Sequence, residues 1–324
     1  MAHELEIVDG KAQMAYVGAL PWHGLGTKVE GDITPDQFQK VAGLDWTVEK
    51  QDMYTVNGVK IPNKQALVRT SDNTVLDTVG SGWNPVQNSE AFNFFQEYVM
   101  AGDMEMHTAG SLKDGQLVWA LAKTNESFEL FKGDVTENYF LFTNPHQFGK
   151  AINIRMTPIR VVCNNTLTLS LSAKSDSMIT VNHRKEFNED EVKDALGIAR
   201  EKMEQYKSMA EFLGSKRYSA DNVVNYFNEV FGSPAKSDDK IFTSRNAKIA
   251  HDNLQEQPGA EFAEGSWWQA FNSVTHMTDH LQGRSTDGRL TSAWYGRNRK
   301  VKLKALDKAL ELSLIHISEP TRPY

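Results

Sequence analysis

The sequence predicts an α+β fold: an antiparallel meander sheet with crossing helices, followed by a helical C-terminal region. Three observations carry this. Up to about residue 182, short β-type runs are separated by turn signals such as Asn57-Gly58, Ser71-Asp72-Asn73 and Lys113-Asp114-Gly115. From Asn188 onward the apolar residues recur at helical spacing. Strands come first and helices second, whereas an α/β protein would alternate them. The expected organisation is a mainly β core over 1–185, a helical region over 186–311 that packs on or extends it, and a stretch over 312–324 that reads as sequencing-adapter read-through.

Taken in order, Thr34-Pro35-Asp36 is a helix start, with Thr34 as N-cap and Pro35 at the first helical position. The helix runs to Ala42 and ends at Gly43. Trp46–Val56 and a strand from Val59 flank the Asn57-Gly58 turn. Gln65–Arg69 and Thr74–Val79 flank the next turn, and Met104–Ser111 and Gln116–Lys123 flank a third. Ser89–Met100 is a helix with Ser89 as its cap and Phe92, Phe95 and Val99 on one face. Further strands are expected at Phe128–Phe131, Asn138–Phe142, Ala151–Met156 and Met178–His183. In the second half, Val192, Ala195, Leu196, Ala199, Met203, Tyr206, Ala210 and Leu213 fall on one face of a long helix stopped by Gly214. Ser219–Phe231, Phe242–Gln255, Glu261–Gln282 and Thr291–Glu311 complete the helices.

Composition excludes several classes. The chain has 324 residues, 40% hydrophobic and 24% charged, with a mean hydropathy of −0.49. No apolar run reaches the roughly 18–20 residues of a bilayer crossing. The N-terminus lacks a basic region followed by an apolar one, so no signal peptide is expected. The single cysteine, Cys163, rules out an internal disulfide and a cysteine-cluster zinc site, which fits a reducing cytoplasm. Leu312–Arg322 reads as the in-frame translation of a transposase adapter used in preparing sequencing libraries. The expectation is therefore that the genuine chain stops near Glu311 and comes from assembled environmental DNA.

Charge is the most usable chemical signal. The net charge is −7, but it is unevenly placed. Phe148–Lys185 holds Lys150, Arg155, Arg160, Lys174, Arg184 and Lys185 against Asp176 alone. Arg284–Lys308 holds Arg284, Arg289, Arg297, Arg299, Lys300, Lys302, Lys304 and Lys308 against Asp287 and Asp307. An acidic body with two basic segments engages polyanions locally and repels them elsewhere. Trp294 and Tyr295 interleave with the second segment, a composition suited to tracking phosphates and stacking bases. The plainer account of that segment is a solvated C-terminal helix whose cations complement its dipole.

No catalytic constellation is convincing. His276 and His280 stand four apart with Asp279 between them, but no third metal ligand is evident and no Glu follows His276 as a zinc protease requires. Packed histidines are the default, and no metal or cofactor is assigned. Leu20–Gly26 lacks the strand–GxGxxG–helix setting of a nucleotide loop and reads as a Trp-anchored turn. Asn144-Pro145-His146 and Cys163–Thr166 read as element ends. Cys163 has no base placed beside it and reads as a buried thiol.

The motifs resemble the phage/plasmid-like proteins that carry domain of unknown function 932. The matching residues are Pro21–Gly26, Leu44–Val48, Pro85–Asn88, Ile159–Leu167, Thr278-Asp279-His280 and Ser292-Ala293-Trp294. The resemblance implies a bacteriophage or plasmid origin and work in the host cytoplasm, but no activity and no transferable catalytic residues. A fainter likeness to single-strand annealing recombinases implies metal-free binding of single-stranded DNA and assembly into homo-oligomers. The leading expectation is DNA binding in recombination or replication. Arg155, Arg160, Arg284, Arg289, Arg297, Arg299 and Lys300 would meet phosphates, and Trp294 or Tyr295 would stack on bases. The rival is a non-enzymatic protein-interaction module that uses the Asn188–Leu213 helix and acts on a host or phage protein.

Overall fold

The computed structural model describes residues 5–18, 25–30, 33–160, 165–166, 178–181, 183, 204–232, 241–282, 292 and 296–315. The fold is α+β. The chain divides into two compact units: Met1–Asn125, Asn138–Met156 and Ser170–Ala199 form the first, and Glu126–Glu137, Thr157–Leu169 and Arg200–Tyr324 the second.

Short strands open the chain: β1 (Ile7–Val8), β2 (Lys11–Ala12), β3 (Met14–Val17) and β4 (Thr27–Val29). Helix α1 (Pro35–Val41) follows, then β5 (Val48–Tyr54), β6 (Lys60–Arg69), β7 (Val75–Gly80) and helix α2 (Asn88–Met100). The meander is β8 (Met104–Leu112), β9 (Leu117–Glu129), β10 (Val135–Pro145) and β11 (Ile152–Arg160), with β12 (Asn165–Thr166) and β13 (Met178–Val181) both on β11. The main sheet has the order β12-β11-β10-β9-β8-β3-β4, and β5-β6-β7 form a separate sheet. The pairs β8–β9, β5–β6 and β6–β7 are antiparallel hairpins, as the turn residues predict.

The four N-terminal strands are not apparent in the sequence. Strand β3 is too short for its alternation to register, yet it lies between β8 and β4 and buries Met14, Ala15 and Tyr16. Gly110 lets it approach: a Cβ there would stand 3.0 Å from the Gln13 carbonyl oxygen and 3.2 Å from the Trp119 ring. The expected strand Phe128–Phe131 is instead the end of β9 running into a turn, where Leu130 N–H donates to Asp134 O and Asp134 N–H to Phe131 O. Much of the expected Asn188–Leu213 helix, with Cys163 and residues 19–24, lies outside the described residues.

Helix α1 begins as its capping residues dictate. The Thr34 hydroxyl accepts from Gln37 N–H, the Gln37 side chain accepts from Thr34 N–H, and Gly43 follows at φ 71°. Helix α2 starts earlier than expected, with Gln87 rather than Ser89 as N-cap. The Glu90 carboxylate accepts Gln87 N–H at 2.6 Å. The Gln87 amide instead acts like a strand neighbour, accepting from Val48 N–H at 2.9 Å and donating to Val48 O at 3.0 Å. Tertiary pairing thus sets where this helix begins.

Asn88, 1% exposed, ties the first unit together. Its amide donates to Leu44 O at 3.1 Å, and its Oδ1 accepts from His146 Nε2 at 3.1 Å, which fixes the proton on that nitrogen. Asn144 donates to Val86 O at 2.8 Å. The His146 ring lies 5.4 Å from that of Trp46, whose face carries the Arg69 guanidinium at 5.3 Å. Arg69 in turn forks onto Asp72 at 2.6 and 3.0 Å and bonds buried Glu6. Around this chain pack Phe38, Phe92, Phe95 and Phe142, all fully buried.

The second unit is helical. A helix whose described part covers 204–215 (α3) precedes α4 (Ala220–Phe231), α5 (Arg245–Asp252), α6 (Trp267–His276) and α7 (Arg297–Ile315). Ser219, Ser244 and Ser266 cap α4, α5 and α6 through their hydroxyls. The expected Glu261–Gln282 helix is broken into a 3₁₀ turn (Ala260–Ala263), α6 and a π-helical turn (Met277–Leu281). Trp267 and Trp268 fill the core, with Tyr226 edge-on to Trp267 at 5.6 Å and its hydroxyl on Ala305 O at 3.1 Å.

The Asn88–His146 pair sets an acid limit. Burial, with the charge of His183 added, pushes the His146 pKa down to about 3, against 6.5 for a free imidazole. Between those values the unfolded chain holds a proton that the native chain refuses, so stability is full above pH 6.5 and falls as pH drops toward 3. Urea midpoints should fall between pH 7.5 and 4.5, with on the order of 2 kcal/mol of that loss due to this group. His146→Gln should be less stable at pH 7.5 and have a flatter pH dependence. Parallel profiles for the two proteins would contradict the assignment.

Candidate functional site

The second basic segment resolves into two kinds of cation along α7. Lys302, Lys304 and Lys308 are used within the second unit. Lys302, 1% exposed, bonds the Asp279 carboxylate at 2.7 Å. Lys304 donates to Glu229 O at 2.5 Å and Val230 O at 3.3 Å, the last carbonyls of α4, where a cation meets the negative end of the helix dipole. Lys308 pairs with Glu229 and Glu311, both at 2.8 Å, and those carboxylates raise its pKa. These three are structural.

Arg297 and Lys300 are different. Both are exposed, they stand one turn apart, and the first turn of α7 holds no acidic residue. Cations at a helix N-terminus face the positive end of the dipole, so their placement costs the helix a few tenths of a kcal/mol. The dipole account of this segment therefore fails for the pair nearest the helix start. Arg299, between them, is half-buried.

The other expected contacts are placed less favourably or fall outside the described residues. Arg155 is buried on β11, 6% exposed, and is not presented to solvent. Arg160 pairs with Asn165 through its backbone, and its side chain lies outside the described set. Arg284, Arg289, Trp294 and Tyr295 also lie outside it.

The π-helical turn after α6 carries Thr278-Asp279-His280 and is fastened to α7 twice, by the Asp279–Lys302 pair and by Asn298 donating to Thr278 O at 2.7 Å. The ring centroids of His276 and His280 lie 5.0 Å apart. His276 Nδ1 pairs with Asn253 Oδ1 at 3.2 Å, and burial, then the neighbouring His280, lowers the His276 pKa to about 4. Asp279 is committed to Lys302. Among the described residues no group of three or more His, Cys, Asp or Glu side chains is arranged to hold a metal ion. The arrangement does the work of a bolt between helices. Sequence reasoning missed the Lys302 partnership, because 23 residues separate the pair and a lysine amid other cations reads as solvated.

The fold and site define a two-unit α+β protein that presents an outward cationic helix start. More particularly, the chain belongs to the family described as Domain of unknown function (DUF932), whose model matches residues 75–296. No curated protein and no solved structure matches the chain. Among the described residues no helix is long and apolar enough to cross a membrane.

Lys302→Met should cost about 3–5 kcal/mol in urea unfolding, since it leaves the Asp279 carboxylate buried without its cation. Lys302→Met with Asp279→Leu should recover much of that loss. A single variant as stable as the parent would show that the pair does not hold the turn.

Proposed function

We propose that this is a non-enzymatic nucleic-acid-binding protein that holds single-stranded DNA during annealing or protection in recombination or replication. The observation behind this reading is the exposed pair Arg297 and Lys300 at the start of α7. The helix gains nothing from them, and an anionic partner would. In sequence, Arg284, Arg289, Trp294 and Tyr295 lead directly into this turn, supplying further cations and two rings for base stacking. Binding of this kind is read through charge and ring faces, so it requires neither metal nor nucleotide. The same reading places the protein in the host cytoplasm, serving a phage or plasmid, where it would act as a homo-oligomer along the strand.

Fluorescence anisotropy with a labelled oligothymidylate tests this. The expected result is binding that weakens linearly in log–log form as salt rises. Arg297→Glu with Lys300→Glu should lower that slope by about 1–2 and weaken binding at every salt concentration. Failure to bind at low salt, or salt-independent binding, would remove this reading and leave the protein-interaction module.

A further inference from the structure

Phe148 lies in the turn 146–151 between β10 and β11, in the first unit, and is 58% exposed. The turn is held firmly. Asp77 Oδ2 accepts Phe148 N–H at 2.7 Å, Gln147 donates to Gln116 Oε1 at 2.8 Å, and His146 N–H donates to Gln116 O at 2.9 Å. A ring whose backbone is already fixed loses little freedom when a ligand settles on it.

One lysine lies over the ring and a second follows it two residues on in the same turn. Lys64 Nζ lies 5.6 Å from the Phe148 centroid. Lys64 belongs to a bulge in β6: between the pairs Asp52–Gln65 and Tyr54–Lys60, β6 runs through Ile61, Pro62, Asn63 and Lys64 where β5 has only Met53. Asn63 takes φ 58° to make this possible, and the bulge opens a cleft lined by Lys60, Lys64, Asp52 and Ser81. The carboxylates here are occupied. Asp52 pairs with Lys60 at 2.5 Å, and Asp77 accepts from Thr78 and Phe148 N–H. Lys64 and Lys150 are both exposed, and neither forms an ion pair among the described residues.

An exposed, fixed aromatic ring beside unpaired lysines matches the chemistry of a single nucleic-acid strand, whose bases offer free faces and whose phosphates are evenly charged. A duplex offers the same phosphates, but its base faces are already stacked on one another. We infer that Phe148 is a base-stacking contact for single-stranded nucleic acid, with Lys64 and Lys150 on the adjoining phosphates. This rests on the nucleic-acid reading above and adds a second contact surface, on the other unit.

The test compares labelled oligothymidylate with a blunt duplex of equal length on the full chain. Phe148→Ala should weaken oligothymidylate binding about tenfold and duplex binding less than twofold, and Phe148→Trp should restore the former. Lys64→Ala with Lys150→Ala should lower the salt slope. An unchanged melting temperature would confirm that the exposed ring can be removed without unfolding the chain. A parent that binds DNA while Phe148→Ala binds equally well would overturn this inference alone, as would equal losses on both DNAs. A parent that binds neither DNA would overturn this inference and the proposed function together.

Discussion

A buried amide with partners on both sides is the constraint on which the first unit depends. Asn88 cannot sit at 1% exposure unless its donor and acceptor are both satisfied, because each unmet group would cost about 1–3 kcal/mol. Meeting that demand brings three stretches of chain together. Leu44 takes its amide, His146 gives to its oxygen, and Gln87 beside it grips Val48, while Asn144 grips Val86. Trp46 and Arg69 extend the chain of contacts to Glu6. Apolar packing of Phe38, Phe92 and Phe142 supplies most of the stabilisation, but it is non-directional. The amides decide which strand meets which helix and in what register.

The second unit solves the same problem with a charge. Lys302 and Asp279 are both almost fully withdrawn from water, which is favourable only with good geometry. The π-helical turn makes that geometry possible: widening the last turn of α6 redirects Thr278 and Asp279 toward α7, where Asn298 and Lys302 receive them. Several stretches that carry the resemblance to the family are therefore interior connectors. Their side chains hold elements together, and no catalytic set is assembled from them among the described residues.

What the sequence reveals depends on whether a signal is local. The three hairpins are legible because Asn57-Gly58 and its counterparts specify a turn by themselves. Thr34 and Ser219 are legible as caps for the same reason, whereas Ser244 falls inside the expected Phe242–Gln255 helix and caps a later start at Arg245. The cap of α2 is misread because Ser89 is the better local candidate, and only the pairing of Gln87 with Val48, 39 residues away, moves the start. The π-helical turn leaves no mark in the periodicity of 261–282, and β3 is too short for its alternation to register. The candidate site divides along the same line. The cations are plain in the sequence, but their division into bolts and outward-facing groups depends on the start of α7 and on partners up to 79 residues distant.

That division limits how the protein could grip a polyanion. The net charge of −7 sets a repulsive background, and Lys302, Lys304 and Lys308 are spent on intramolecular contacts. Each of the two proposed contact surfaces then offers a pair of outward cations, Lys64 and Lys150 on one and Arg297 and Lys300 on the other. Non-specific affinity built from so few phosphate contacts lies near 10⁻⁴–10⁻⁶ M at physiological salt, an order of magnitude taken from nucleic-acid binding in general. A single chain would therefore dwell briefly on a strand. Protomers held beside one another on the same strand would each raise the effective concentration of the next, which converts weak contacts into a stable array without any new contact to the nucleic acid. Weak individual contacts would also let such an array release its strand once a complementary one pairs with it, which is the behaviour an annealing factor needs.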